Sequence, residues 1–496
     1  MDEKFTFAPN DFEFASRAET NKDYKPKTKP VGYFRDAWRR FKKNKASIVA
    51  LCIIVALMLF AIFTPIFSSF KMAFSDSVYA NRLPKSGALS HIGIATGTYD
   101  KELNTRAFDY YAAIGVGASY DRATDSENPD EAIGGEFSAI RKVKGDIADN
   151  RKKVSMDSYY EIGFRFVSVT AEEYAAIVDY EQRTGETVLY PMLNFADQSD
   201  KDAANYWFKL DDRNRAVKDA NGNYIDDYLR DGEGKVCYSL NRDANGLSIR
   251  VLYYKYFVFK NGVKPEFLFG TNQVGQDILV RLASGIRLSL LLSFGVSAIN
   301  LIIGAIYGTI EGYYGGTTDL IMERIVDILS GLPFIVVATL FQLHLAKAAG
   351  VLGSLLFSFI LTGWIGTARR VRTQFYRFKN QEYVLAARTL GAGDARLMFK
   401  HIFPNTLGTI ITSSVLVIPS VIFSESMLSY LGIVNLDGTS VTSIGAMLSD
   451  GQTVLSAFPH VILFPALVIS LLMISFNLFG NGLRDAFNPS LRGADE

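Results

Sequence analysis

An apolar run from Ala46 to Phe67 follows directly on a basic cluster of Arg35, Arg39, Arg40, Lys42, Lys43 and Lys45. Out of water such a run can pair its own backbone groups only as a helix, and about 20 helical residues match the roughly 30 Å hydrocarbon core of a bilayer. Basic residues stay on the cytoplasmic side, so the cluster holds the N-terminus inside and the run leaves the cytoplasm. A core helix of a water-soluble protein would be shorter and would lack the flanking charge. Tyr33, Trp38 and Phe41 alternate with the bases, which predicts an amphipathic helix over 32–45 lying on the inner surface. The polar stretch over 1–31, broken by Pro26 and Pro30, lacks the apolar core of a signal peptide and reads as a flexible cytoplasmic tail.

After this first span (46–67) the character reverses. Residues 71–266 hold 26 Lys and Arg against 31 Asp and Glu, with no run able to cross a membrane, so they form one polar domain on the external side. Its patterning is mixed α/β. VTAEEYAAIVDYEQRTG predicts a helix with Thr170 and Glu173 as a capping box and Gly185 as its stop. YEIGFRFVSV and IRVLYYKYFVFKNG read as strands, and the Asn-Gly and Asp-Gly pairs of DANGNYIDDYLRDGEGKV read as hairpin turns. Asp219, Asn221 and Asn223 alternate like a calcium loop, but Tyr224 and Arg230 stand where that loop needs Gly and Glu, so turn chemistry is the better account.

Five further apolar segments follow: Leu288 to Ile310, Ile328 to Leu345, Leu352 to Ile365, Leu407 to Phe423 and Val461 to Phe479. With the first they make about six membrane-spanning helices, an even number that returns the 490–496 tail to the cytoplasm. The connection from Ala368 to His401 carries eight Lys and Arg against only Glu382 and Asp394, and is cytoplasmic by both charge and span count. The chain is thus a polytopic α-helical protein of the cell membrane with an inserted external domain.

Several functions are excluded. Cys52 and Cys237 cannot build a disulfide framework, and the four scattered histidines offer no metal site. No phosphate-binding GxxxxGK[ST] loop and no GxSxG elbow occur, so the chain has no catalytic centre of its own and binds no cofactor. A net charge of +1 gives no field for nucleic acid.

The cytoplasmic loop QEYVLAARTLGAGDARLMFKHIFPN predicts a short helix from about Glu382 to Leu390, a break at Gly391 and Gly393, a second helix, and Pro404 before the next span. Its composition fits equally a helix that docks another protein through small Ala386 and Ala387 and one that binds headgroups through arginines. The loop resembles the EAA loop of ABC importer permeases, with Ala386, Ala387, Gly391 and Pro404 at the family's spacing and Arg388 matching the peptide-importer version. Leu385 stands where the motif has Glu, and Glu382, on the same helix face, is the candidate substitute. His401 and Phe403 replace its Ile and Leu.

RDAWRRFKKNKASIVAL and GTNQVGQDILVRLASGIRLSL resemble the dipeptide, oligopeptide and nickel importers, specifically their C-type subunit. Gly270, Thr271, Gly275, Asp277 and Arg281 are in register with the segment before the second span, where Gln276 departs from the usual Arg. GYYGGTTDLIMERIVDIL, SESMLSYLGI, IGAMLSDG and FNLFGNGLRDAFNP continue the resemblance, which covers about 31–70 and 268–489 and leaves 71–266 as an insertion. It implies the fold of an ABC type I importer permease, a second homologous permease, two ATPases carrying ATP and Mg, and an external solute-binding lipoprotein. Peptides are the expected solute, with nickel or another small solute as the alternative and a membrane receptor as the reading from another class.

Glu425 is expected near the external mouth, either attracting a peptide amino group or bonding a neighbouring helix. Gly304, Gly308, Gly331, Pro333 and Pro419 fit either hinges or close packing. Asp319, Glu323, Arg324 and Asp327 are expected to form structural ion pairs at the cytoplasmic side, and Arg281 and Arg287 to pair with Asp277 or headgroups. The insertion is expected to dock the binding protein. The rivals are a purely structural role and a ligand pocket lined by Tyr159, Tyr160, Trp207 and Tyr253.

Overall fold

The computed structural model describes residues 33–116, 138–147, 151–194, 217–222, 225–243, 246–438 and 441–487, with the single positions 209 and 211. The tails expected over 1–31 and 490–496, and Trp207, Asn223 and Tyr224, lie outside them. Helix α1 (Tyr33–Lys43) is followed by α2 (Lys45–Phe67), the break being capped by the Asn44 side chain, which accepts from the Ser47 N–H. Ala37 and Phe41 on α1 are buried, Phe41 against Phe479 of the last helix, while Phe34 and Trp38 are exposed. Phe34 also meets the last helix, edge-on against Phe487, while Trp38 stacks on Phe41 with half of its surface exposed.

The inserted domain holds two antiparallel sheets. Strands β1 (Thr98–Asn104), β2 (Ile140–Ile147) and β3 (Arg151–Asp157) form the first, in the order β1-β3-β2, covered by α3 (Thr105–Val116). In the second, β7 (Gly246–Leu252) pairs with β4 (Phe164–Val169), β5 (Leu189–Tyr190) and β6 (Ser239–Asp243), and α4 (Ala171–Thr184) packs on it. The first sheet has no counterpart in the sequence reading, because charged residues fill half of its strand positions. Helix α4 starts and stops at Thr170 and Gly185 as expected, but only half a capping box forms: Thr170 accepts from the Glu173 N–H, while the Glu173 carboxylate accepts from Tyr256. The predicted long strand IRVLYYKYFVFKNG ends at Leu252 and becomes helix α5 (Tyr253–Asn261). Tyr253, Tyr254, Phe257 and Val258 recur at helical spacing into neighbouring cores, so tertiary burial overrides the β propensity of aromatic residues.

The insertion closes on itself where it meets the membrane core. The Lys85 N–H donates to the Phe267 carbonyl at 2.8 Å, and the Gly87 N–H to Glu266 at 2.9 Å. An aromatic cluster of Phe70, Tyr79, Tyr159, Phe257 and Phe267 joins the exit of the first span, the external domain and the return to the second span. Tyr159 and Tyr160, which line a pocket only in the rival ligand-binding reading, are core side chains, and Tyr253 is bonded to Asp76. The open groove on this domain, about 580 Å³, lies elsewhere and is lined by Tyr174, Glu181, Glu186, Tyr190, Tyr228 and Tyr238.

The membrane core follows in α6 (Ile278–Tyr314), α7 (Gly316–Ser330), α8 (Phe334–Gly363), α9 (Ile365–Phe378), α10 (Glu382–Thr389), α11 (Phe403–Val415), α12 (Val417–Tyr430), α13 (Ile444–Thr453) and α14 (His460–Phe487). Among the described residues five helical stretches are long and apolar enough to cross a membrane: Lys45–Phe67, Ile278–Tyr314, Phe334–Phe378, Asp394–Tyr430 and His460–Phe487. The third is two legs, because Gly350 leaves the helical region (φ 75°, ψ 165°). Phe334 and Phe359 would stand about 37 Å apart on a straight helix, yet their rings lie 5.0 Å apart. The chain turns back at Gly350, giving six apolar crossing segments. The predicted run from Ile328 is interrupted at Gly331 and Pro333, where α7 ends and α8 begins.

Gly304, Gly308 and Gly312 bring α6 against α9. A Cβ at Gly308 would lie 2.2 Å from the Ala368 carbonyl oxygen, and one at Gly304 2.7 Å from Thr367. These are packing glycines, not hinges. Gly308→Leu is therefore expected to lower the apparent melting temperature of the detergent-solubilised chain, by overpacking of about 1–3 kcal/mol, whereas Gly295→Leu, with open space around its Cα, leaves it unchanged.

Candidate functional site

Helix α10 is anchored in the core by Val384. Val384 is buried in a cluster with Tyr313, Val371, Phe375, Leu397 and Ile402, and Ala387 packs against its edge. Ala386, Arg388 and Glu382 are exposed, Glu382 in the first turn, where a carboxylate complements the helix dipole. Glu382 and Leu385 share the outward side. The helix is closed by Gly391 in the left-handed region (φ 83°), its N–H donating to the Arg388 carbonyl. A Cβ there would meet nothing within 4 Å, so the demand for glycine is conformational and not one of bulk. A turn at Asp394–Arg396 and a wide π-helical turn at Leu397–Ile402 lead to Pro404 in the first turn of α11, where its missing N–H is tolerated.

Tyr313, at the C-terminal end of α6, ties this loop to the membrane core. Its hydroxyl donates to Asp394 at 2.6 Å and accepts from Arg388 at 3.4 Å. Beside it Lys379 donates to the Gly312 carbonyl at 3.0 Å. Arg372 grips Asp319 through two nitrogens at 2.5 and 2.8 Å and lies 3.4 Å from Glu311. These hydrogen bonds hold the Asp319 carboxyl below the usual carboxylate range. Arg369 bridges to Glu323 and Asp327 at 3.3 and 3.2 Å, and Arg324 to Asp327 at 3.2 Å. The acidic residues of α7 thus form the ion pairs expected of them, stapling α6, α7 and α9 into one body. Tyr313 and Asp394 carried no signal in the sequence, since the loop brings them together across 81 residues.

On the outer side Gly270 and Gly275 both have positive φ, and a Cβ at either would collide with backbone, at 2.3 Å from the Arg82 oxygen and 1.7 Å from the Asp76 oxygen. The buried Thr271 hydroxyl accepts from the Arg82 N–H at 2.7 Å and donates to the Tyr79 carbonyl. Asp277 caps α6, accepting from the Leu279 N–H, and burial pushes its carboxyl up to about 7. The motif before the second span is therefore a backbone socket for residues 76–82.

Arg281 does not pair with Asp277 as expected. It is buried and donates to Asp437, Thr442 and Gln276, reaching the α12–α13 connection instead. The polar acceptor Gln276 is compatible with that position, where a second arginine would repel it. Arg287 is exposed. Glu425 is fully buried, accepting from Ser289 of α6 at 2.9 Å and from Ser426 and Ser429 of its own helix. In this conformation it bonds a neighbouring helix and faces no open path. Pro419 lies buried one turn into α12, just after the break at Leu416, where the Ser414 carbonyl accepts from Ser297 of α6.

Two family models match: the binding-protein-dependent transport system inner membrane component over residues 300–493, and the N-terminal TM domain of oligopeptide transport permease C over 32–84. The oligopeptide transport system permease protein OppC of Bacillus subtilis is 44% identical over 237 residues, 47% of this chain and 75% of the relative. This chain belongs to that permease family, on its C-type branch. The dipeptide permease DppC of Bacillus subtilis is 42% identical over 45% of this chain and 69% of its own length, and the Haemophilus influenzae OppC 40% identical over 45% and 70%. A chain of the MetNI methionine ABC transporter superposes with TM-score 0.35 at 15% identity, over 42% of this chain and 96% of that one. The permease is a multi-pass membrane protein and a transport component, and its relatives belong to ABC transporters.

The φ at Gly391 orders its substitutions. Asn visits the left-handed region most readily among non-glycine residues, so Gly391→Asn should retain more solute uptake than Gly391→Ala, and Gly391→Val least. A ranking by side-chain volume in uptake assays would contradict this.

Proposed function

We propose that this permease is the C-type membrane subunit of an ATP-driven importer of oligopeptides or dipeptides, working by alternating access. The observation that carries the reading is the outward face of the cytoplasmic loop. Tyr383, Leu385, Leu390 and Phe399 are 41%, 44%, 88% and 55% exposed on a loop whose other side is locked to the core by Val384 and Tyr313. An apolar face on a rigid mount suits docking by a protein and transmission of its movement.

Two ATPase subunits, supplying ATP and Mg, would bind there, with Glu382, Ala386, Ala387, Arg388, Gly391 and Pro404 forming or shaping the contact. A second homologous permease would complete the path, lipid would surround the spans, and an extracellular solute-binding lipoprotein would deliver the peptide. The N- and C-termini would be cytoplasmic. The peptide reading is supported by the oligopeptide and dipeptide relatives.

The insertion would be a docking platform for the binding protein. We place its boundaries at about Lys85 and Phe267 instead of 71 and 266, because residues 76–82 fill the socket before the second span and the permease C model reaches residue 84. Joining Lys85 to Phe267 by a short linker should keep assembly with the ATPases and weaken delivery by the binding protein. Loss of assembly would make the insertion structural.

Purification of the chain in mild detergent, with mass spectrometry of its companions, tests the whole reading. Two ATPases, a second permease and a binding lipoprotein are the expected set. A chain that purifies alone, or with a signalling kinase, would sink it.

A further inference from the structure

The first sheet of the inserted domain is covered on one side only. Ile140, Val154 and Met156 point to the side where Phe108 and Ala112 of α3 pack. The strand register puts Asp100 and Glu102 of β1, Lys142 of β2, and Arg151 and Lys153 of β3 on the opposite face, and all five are exposed. Lys144, at the irregularity in β2, joins them by reaching across β3 to Asp100 at 2.5 Å. Lys153 lies 3.9 Å from the same carboxylate. Four bases against two carboxylates make this face positive, on an insertion that holds 31 acidic and 26 basic residues over 71–266. Among the described residues neither Lys142 nor Arg151 makes an ion pair, and Lys144 and Lys153 stay 42% and 49% exposed in spite of Asp100.

Lysines on an edge strand protect a sheet from pairing with another chain, which accounts for Lys142 and Lys144 on β2. It does not account for Arg151 and Lys153, because β3 is the central strand of the order β1-β3-β2 and both of its edges are already paired. Like charges crowded on one face repel, at a cost to the sheet itself. A partner of opposite charge offsets that cost. The sign changes across the face, from the carboxylates of β1 to the bases of β2 and β3. A polyanion or an anionic bilayer would be repelled along β1, whereas a folded protein can set an acidic patch on the bases and leave β1 at the rim.

We propose that this face is a docking surface for a protein with an acidic patch, and that Lys142 and Arg151 are the charges the partner neutralises. The partner's identity rests on the importer reading, within which it is the solute-binding lipoprotein. The positive face itself does not depend on that reading.

The test uses the full chain with its companion subunits in lipid nanodiscs, the binding lipoprotein purified from the same membrane, and a carbodiimide that joins a lysine amine directly to a touching carboxylate. A crosslink between Lys144 and Asp100 shows that the reagent reaches the face. Mass spectrometry should find Lys142 or Lys153 joined to Asp or Glu of the lipoprotein. Crosslinks confined to this chain, including any to its acidic stretch over 121–131, overturn the proposal.

Lys142→Glu combined with Arg151→Glu should weaken lipoprotein binding by about 10-fold or more and flatten its dependence on salt. Lys142→Arg combined with Arg151→Lys should change neither. Equal affinity of the two double variants overturns the proposal, and so does a charge reversal that abolishes binding to phosphatidylglycerol vesicles while sparing the lipoprotein. If the reversed chain does not assemble, the crosslinks of the parent chain decide. Companion ATPases without a lipoprotein crosslink overturn the docking face and leave the importer reading standing. A lipoprotein crosslink at Lys142 in a preparation that holds no ATPase supports the face and overturns the importer reading.

Discussion

Inside a bilayer a backbone N–H or C=O finds no water, so each must be paired within the protein. Helix α6 meets that constraint over 37 residues, from the Asp277 cap to Tyr314. Its glycines let α9 approach until backbone nearly touches side chain, which makes the two helices move as one. Every other functional feature hangs on this pair. Arg281 and Ser289 meet the outer elements from α6, and Tyr313 and Glu311 meet the cytoplasmic loop and Arg372 from its other end. Through α6, the loop that carries α10 and the elements at the opposite end of the helix share one packed support.

The external domain adds to this core without interrupting it. Its two ends are hydrogen-bonded at Lys85 and Phe267, and the socket made by Gly270, Thr271 and Gly275 grips the chain before the domain begins. The shared aromatic cluster fixes the domain to the exit of the first span.

Periodicity and capping were legible where local chemistry decides the outcome. Thr170 and Gly185 bound α4, because a cap is made by residues three or four apart. The sequence misled where distant residues decide. The aromatic run after Leu252 has the composition of a strand but turns helical to bury Tyr254 and Phe257 in different clusters. Arg281 pairs with Asp437 across 156 residues, a partner no spacing rule could supply. The strands of the first sheet went unread because charged residues fill half of their positions, and the sheet exists only through the pairing of β1 and β2 with β3.

The sequence by itself determined that the chain crosses a membrane about six times, which loops carry the positive charge, where one polar domain interrupts the series, and where the cytoplasmic loop has its helix and glycine break. Each follows from run length, charge and local conformation, which are properties of neighbouring residues. Tertiary structure alone decided that Gly350 is a reversal, that Gly304 and Gly308 are contact points, that Glu425 is enclosed by serines, and that Tyr313 joins α6 to the loop. Those outcomes depend on which helix faces meet, and a face acquires its partner only when helices far apart in the chain are packed together.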